Sequence, residues 1–253
     1  MFRIKGIILL LAVTAHVFAL PKIEELLSIM DEKYSDVTDY KANVVVTQQK
    51  VGQGTKKLEM LFYRRDTDKS FLIVMTGPAM EQGNGYLRTG DNMWMYRRNT
   101  RTFQHINRDE SIGGSDAKAD DFEGKKLIEM YAPALDDNGN EIISEDTLGK
   151  IPVYRFGVKA KINDVDYPKK IFWIRRDNQL RLKEASYSLS GTLMQTTLYT
   201  KYTDIKGKLI PVQFLTIDEF EKGNKSIVEL SGISIDKLDS SIFNKAYLES
   251  LSK

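Results

Sequence analysis

From Tyr40 onward the chain is a succession of short runs in which β-branched and aromatic residues recur at every second position, and no other feature limits its fold so strongly. The runs cover 41–49, 58–65, 70–76, 85–89, 92–97 and 101–106, then 141–144, 153–160, 169–176, 180–189, 193–202, 209–220 and 226–235. A repeat of two is the repeat of a pleated strand. Most gaps are hairpin-sized and hold residues that tolerate positive φ, as in Gly52-Gln53-Gly54, Gly90-Asp91, Asp177-Asn178, Lys206-Gly207 and Lys222-Gly223-Asn224. Strands joined by hairpins are antiparallel. So many of them, without long crossover loops, predict a mainly β fold: one large antiparallel sheet curled into an incomplete β-barrel.

Helical periodicity is confined to the flanks. Ile23, Leu26, Leu27, Met30 and Tyr34 recur at intervals of three and four, one apolar stripe that must lie on something. Phe243, Tyr247 and Leu251 are four apart and predict a short closing helix over 240–251. These helices are expected to cover the concave side of the sheet. Several strands are apolar on both faces, with Leu61 and Tyr63 against Met60 and Phe62, and Trp94 and Tyr96 against Met93 and Met95. A sheet with one solvated face alternates more cleanly.

The N-terminus has its own signature. Arg3 and Lys5 precede an uncharged run and then small residues up to Ala19, the pattern of a secretory signal peptide over 1–19. Cleavage is expected after Ala19, with Ala15 as the second choice; an N-terminal membrane anchor is the alternative, but the apolar stretch is short of the roughly 20 residues a span requires. Residues 20–253 then form one domain. Cysteine is absent, which removes disulfides, thiolate metal sites, thiol nucleophiles and lipidation of the chain itself. His16 lies in the leader, so His105 is the one histidine of the remainder. The 37 Lys and Arg nearly balance the 35 Asp and Glu, and without Arg3 and Lys5 they balance fully. A nucleic-acid partner therefore has no electrostatic footing.

Signs of catalytic chemistry are few. Gly114-Ser115 is not followed by the glycine of a nucleophile elbow. Asp120 and Asp121 adjoin in a polar stretch, where they bias a helix start. The segment 136–141 has the residue types of a calcium loop, but its glycine is misplaced and the distal glutamate is missing, so it reads as an Asn/Gly turn. Arg97, Arg98 and Arg101 cluster at a hairpin tip and read as a solvated turn. No metal, cofactor or enzymatic activity is expected.

An ordered set of motifs is more specific. Gly85-Tyr86-Leu87-Arg88, Gly90-Asp91, Met93-Trp94-Met95-Tyr96, Arg101 and Gly114-Ser115-Asp116, followed by Tyr167-Pro168-Lys169-Lys170, Trp173, Tyr199, Tyr202, Ile205, Gly207 and Ile210-Pro211, resemble the outer-membrane lipoprotein-sorting family, the LolA-like proteins. The resemblance spans nearly the whole chain after the leader. It implies an incomplete β-barrel with helices as a lid, and a periplasmic carrier or chaperone that binds the acyl chains of lipoproteins in an apolar cavity for sorting to the outer membrane. Implied partners are acylated lipoproteins or lipids and an inner-membrane release complex, with peripheral membrane encounters only. The alternative is a regulatory module of the same fold that senses lipids or lipoproteins.

Alternation supplies candidate lining residues. Met60 with Phe62, Phe71 with Ile73 and Met75, and Met93 with Met95 form three same-face sets in the runs 58–65, 70–76 and 92–97. Thioether side chains adapt to irregular apolar guests. Leu127 and Met130, with Ile128, are expected to face inward from a lid over 109–131, together with the helix bearing Leu26, Leu27 and Met30. A dry core built from the same residues is the alternative.

Overall fold

The computed structural model describes residues 20–33, 37–107, 110, 112–113 and 126–252. The leader with its cleavage position at Ala19, Tyr34, Gly114-Ser115-Asp116 and the Asp120–Asp121 pair lie outside the described residues. The chain opens with α1 (Ile23–Glu32) and continues into β1 (Asp39–Lys50), β2 (Gly54–Arg65), β3 (Ser70–Gly77), β4 (Gly85–Thr89), β5 (Asn92–Arg97) and β6 (Thr102–His105). A single turn, α2 (Leu127–Met130), leads into β7 (Tyr131–Pro133), β8 (Ile143–Leu148), β9 (Ile151–Ala160), β10 (Lys169–Arg175) and β11 (Arg181–Tyr187). Three long strands, β12 (Leu193–Ile205), β13 (Lys208–Asp218) and β14 (Lys225–Ser234), precede α3 (Lys245–Leu251).

All strands join one antiparallel sheet in the order β6-β5-β4-β3-β2-β1-β14-β13-β12-β11-β10-β9-β7, with β8 also paired to β9. Nearly every neighbour is a sequence neighbour, as the hairpin-sized gaps predict. The exceptions are β7 against β9 at one edge and β1 against β14, which joins the first and last strands at the centre, with Val44 opposite Leu230 and Val46 opposite Val228. β6 and β7 end the series without pairing to each other, so the sheet is not closed into a barrel. A right-handed twist accumulated over so many strands makes it curl instead of lying flat.

The predicted strands β4 and β5 coincide with the observed ones, and the others differ by a few residues at their ends. β7 was not expected, because three residues are too few to display a repeat of two.

Registry separates the two faces. The inner face carries Met95, Tyr86, Ile73 and Phe62 side by side across β5, β4, β3 and β2. The outer face carries Trp94, Leu87, Leu72 and Tyr63 across the same strands. Both are covered there. On the outer face α3 and the segment before it bury Phe243 and Leu248 against Tyr63, Leu72, Val74, Leu87 and Tyr96. The expectation that the helices cover the concave side is therefore corrected: α3 packs on the opposite face, and its presence explains why β2 to β5 are apolar on both sides. Gly85 permits that approach, since a Cβ there would run into Leu248 and come within 2.7 Å of the Ile73 carbonyl oxygen.

α1 sits on the inner face of the other half. Ile23, Leu26, Leu27 and Met30, the predicted stripe, pack on Phe156, Val158, Phe172, Ile174 and Tyr131. Both ends are tied down: Glu141 accepts the Ile23 N–H at 2.8 Å, and Lys33 donates to the Asn178 carbonyl. Near the other end Asp31 accepts the N–H groups of Leu127 and Ile128, each at 2.9 Å, so α1 caps the turn of α2.

Candidate functional site: the inner face of the sheet

Seven of the nine predicted lining residues meet on one stretch of the inner face. Met60 pairs with Met75 and Phe62 with Ile73; Tyr86 lies between Ile73 and Met95, and Arg88 between Phe71 and Met93. The register therefore places all three predicted sets on one face. Six of them, Met60, Phe62, Phe71, Ile73, Met75 and Met93, are buried in a packed cluster with Tyr40, Val44, Leu58, Tyr86 and Ile112, and Met95 is half-buried at its margin. Leu127 and Met130 belong elsewhere, half-buried against α1 and Tyr131.

A chain segment seals the first cluster. Ile112 is fully buried, and the peptide of Gly113 is held from both sides: its N–H donates to the Tyr86 hydroxyl at 2.8 Å, and its carbonyl accepts from Lys56 Nζ at 2.7 Å. Gly113 has φ +58, and an added Cβ would lie 3.1 Å from the Met75 methyl, so closeness and backbone both favour glycine there. Burial raises the pKa of the Tyr86 phenol above its ordinary value. Arg88, fully buried, donates from Nε to the Gly90 carbonyl at 2.7 Å.

Between this cluster and the one under α1, the inner face stays apolar but is less deeply buried. One row runs from Leu58 through Val46, Val228 and Phe214 to Tyr199 across β2, β1, β14, β13 and β12. Val228, Leu230, Phe214 and Tyr199 are half-buried, and the rings of Tyr199 and Phe214 lie 5.9 Å apart. This floor was missed at the sequence level, although both aromatic residues sit at alternating positions of predicted strands. The outer face of the same strands carries Leu198, Leu215 and Ile227, also half-buried, because α3 stops over β2 to β5.

Charge appears where the floor meets the α1 cluster. The next inner-face row runs Thr216, Thr197, Glu184, Phe172 and Phe156. Glu184, 8% exposed, accepts from Lys170 at 2.5 Å and from Arg181 at 3.1 Å. Burial works to raise the Glu184 pKa, but Lys170 and Arg181 outweigh it and hold the carboxyl below the usual range. Burial likewise works against charge on Lys170, and Glu184 more than offsets it, so the ammonium is held above its ordinary value. Lys170 also faces the rings of Tyr131 and Tyr167, at 5.5 and 6.0 Å. The Tyr131 phenol is raised by burial, opposed by Lys170 and reinforced by Glu184 and Asp166.

Other candidates resolve as structure. Asp136 accepts the N–H groups of Asn138 and Asn140 at 2.9 and 2.8 Å, an Asx turn. A surface cleft of about 450 Å³ lies at the far end of β9 and β10, lined by Ile151, Pro152, Tyr154, Arg175, Arg176 and Asp177. Apolar and aromatic side chains share its lining with three charged ones.

An open antiparallel sheet in this order, with a helix on its inner face and another on its outer face, is a LolA-like fold. A LolA superfamily protein from Nitrosomonas europaea superposes with a TM-score of 0.70 at 19% identity, covering 90% of this chain and all of that one. A protein from Vibrio parahaemolyticus that bears the name of an outer membrane lipoprotein-sorting protein domain gives 0.71 at 16% identity, with 89% and 99% covered. A DUF1329 family protein from Desulfovibrio piger gives 0.75 at 21% identity, with 89% and 97% covered. The model of the DUF1329-like family, described as an uncharacterized protein, matches residues 67–250, and the chain belongs to that family. No curated protein matches the sequence. Among the described residues no helix is long and apolar enough to cross a membrane.

Proposed function

We propose that the protein is a periplasmic carrier that holds the acyl chains of lipoproteins or lipids on the inner face of its sheet and passes them toward the outer membrane without chemical change. The observation that carries this reading is the half-buried apolar floor of Val228, Leu230, Phe214 and Tyr199 between two tightly buried clusters. Apolar surface set between two buried clusters suits an apolar guest or a covering segment. An acyl chain of about 16 carbons, buried at about 0.8 kcal/mol per methylene, gains about 13 kcal/mol before ordering costs, so partial enclosure suffices. Incomplete enclosure also suits a carrier, which must release its load. The Gly113 segment and the α1–α2 pair are the covers that would move. The fold shared with the Nitrosomonas and Vibrio proteins supports the reading.

Two measurements test it. Mass spectrometry of the natively purified protein is expected to detect co-purified lipid or acylated peptide. Phe214→Glu and Met95→Glu place a charge on the floor and at its margin, and each is expected to weaken a fluorescent fatty-acid probe by about tenfold or more. Unchanged probe affinity in folded variants of both would refute the reading.

A further inference from the structure

A wall meant only to touch hydrocarbon has no use for ions. Lys170, Arg181 and Glu184 nevertheless sit on the inner face, with side chains 17%, 30% and 10% exposed. Taking such charges out of water is costly, and well-packed apolar residues often serve stability as well or better. The three charges sum to a single positive one.

The backbone is arranged to bring Arg181 there. Trp173 faces Lys183, but the next pair is Ile174 with Arg181, so Leu182 is an extra residue: a β-bulge in β11. Strict alternation would put Arg181 on the outer face beside Lys183, whose ammonium lies over the Trp173 ring at 4.5 Å. The bulge turns it inward instead, a known use of bulges beside functional sites. Its guanidinium lies 4.5 Å from the centre of the Tyr199 ring, the last residue of the apolar floor. The Tyr202 hydroxyl donates to the Arg181 carbonyl and fixes the bulged backbone, while Glu184 holds one edge of the guanidinium.

We propose that Arg181, oriented by Glu184 and backed by Lys170, is the head-group subsite of the apolar floor and takes an anionic oxyanion, a carboxylate or phosphodiester, at the polar end of the bound chain. This rests on the acyl-binding reading above and narrows it: cargo with an anionic head is preferred over cargo with a neutral ester or glyceride head. A guanidinium stacked on an aromatic ring presents a planar, permanently charged fork suited to such oxyanions.

The test compares fluorescent cis-parinaric acid with its methyl ester on the full-length mature protein at mildly alkaline pH. A parallel arm compares phosphatidylglycerol with diacylglycerol of the same chains by native mass spectrometry. A charge-assisted contact predicts that the ionised member of at least one pair binds about tenfold tighter. The first pair reports a carboxylate source and the second a phosphate source. In Arg181→Gln the acid-to-ester ratio is expected to fall to about one, and in Arg181→Lys to keep part of its excess. Equal binding of ionised and neutral members in both pairs of the wild-type protein would overturn the subsite and leave the acyl-binding reading standing. Failure of all four probes to bind would sink both, and a preference undiminished in Arg181→Gln would overturn the assignment to this residue.

Discussion

Lys170 and Glu184 show how residue chemistry and position interact. A lysine and a glutamate fourteen positions apart are unremarkable in sequence, but β10 and β11 lay them side by side on a buried face. Breaking such a pair leaves one charge without its main counter-ion. Lys170→Met is therefore expected to lower the unfolding free energy by about 3 kcal/mol, while Lys170→Met combined with Glu184→Leu recovers most of it. Urea titrations measure both. A Lys170→Met variant as stable as wild type would show that the pair contributes nothing. The acid limb follows from the direction of the carboxyl shift. Glu184 is held below the usual range in the folded state, so its contribution is complete above its unfolded value, about 4.3, and is lost as pH falls through the folded value. Glu184→Gln should flatten the loss of stability below about pH 4. An acid limb of unchanged slope would assign it to other carboxylates.

At the scale of elements, α1 and α2 behave as one unit. α2 is a single turn, too short to hold itself in water, and its first two N–H groups are taken by the Asp31 carboxylate from α1. Asp31→Ala removes both charge-assisted bonds, and the amides of Leu127 and Ile128 should exchange with deuterium at least about tenfold faster, with α1 itself still protected by its packing. Unaltered protection would mean that apolar contacts alone hold α2. α1 was legible because its stripe at intervals of three and four belongs to one helix face and needs no distant information. α2 was not, since a four-residue turn has no period of its own and depends on a carboxylate nearly a hundred positions away.

For the whole molecule, the decisive arrangement is one open sheet covered on both faces by different ends of the chain. Removing residues 240–253 would expose Tyr63, Leu72, Val74, Leu87 and Tyr96 on the outer face. Such a chain is expected to bind hydrophobic dye and self-associate, as large exposed apolar patches do, which light scattering would detect; a monomeric, dye-silent product would show α3 to be dispensable. Local patterns in the chain were enough to give the strand number to within one, the antiparallel hairpin order, the stripe on α1, and the same-face grouping of Met60 with Phe62, of Phe71 with Ile73 and Met75, and of Met93 with Met95. Each follows from a local period or from a turn too short to allow another connection. Tertiary structure alone decided the pairing of β1 with β14, the side of the sheet on which α3 lies, and the half-buried state of the floor at Phe214 and Tyr199. It also decided the inward turn of Arg181. The physical reason is common to all four: alternation says that two faces exist, but which one is covered, and where a bulge shifts a side chain from one to the other, is set by partners that meet only when distant segments pack.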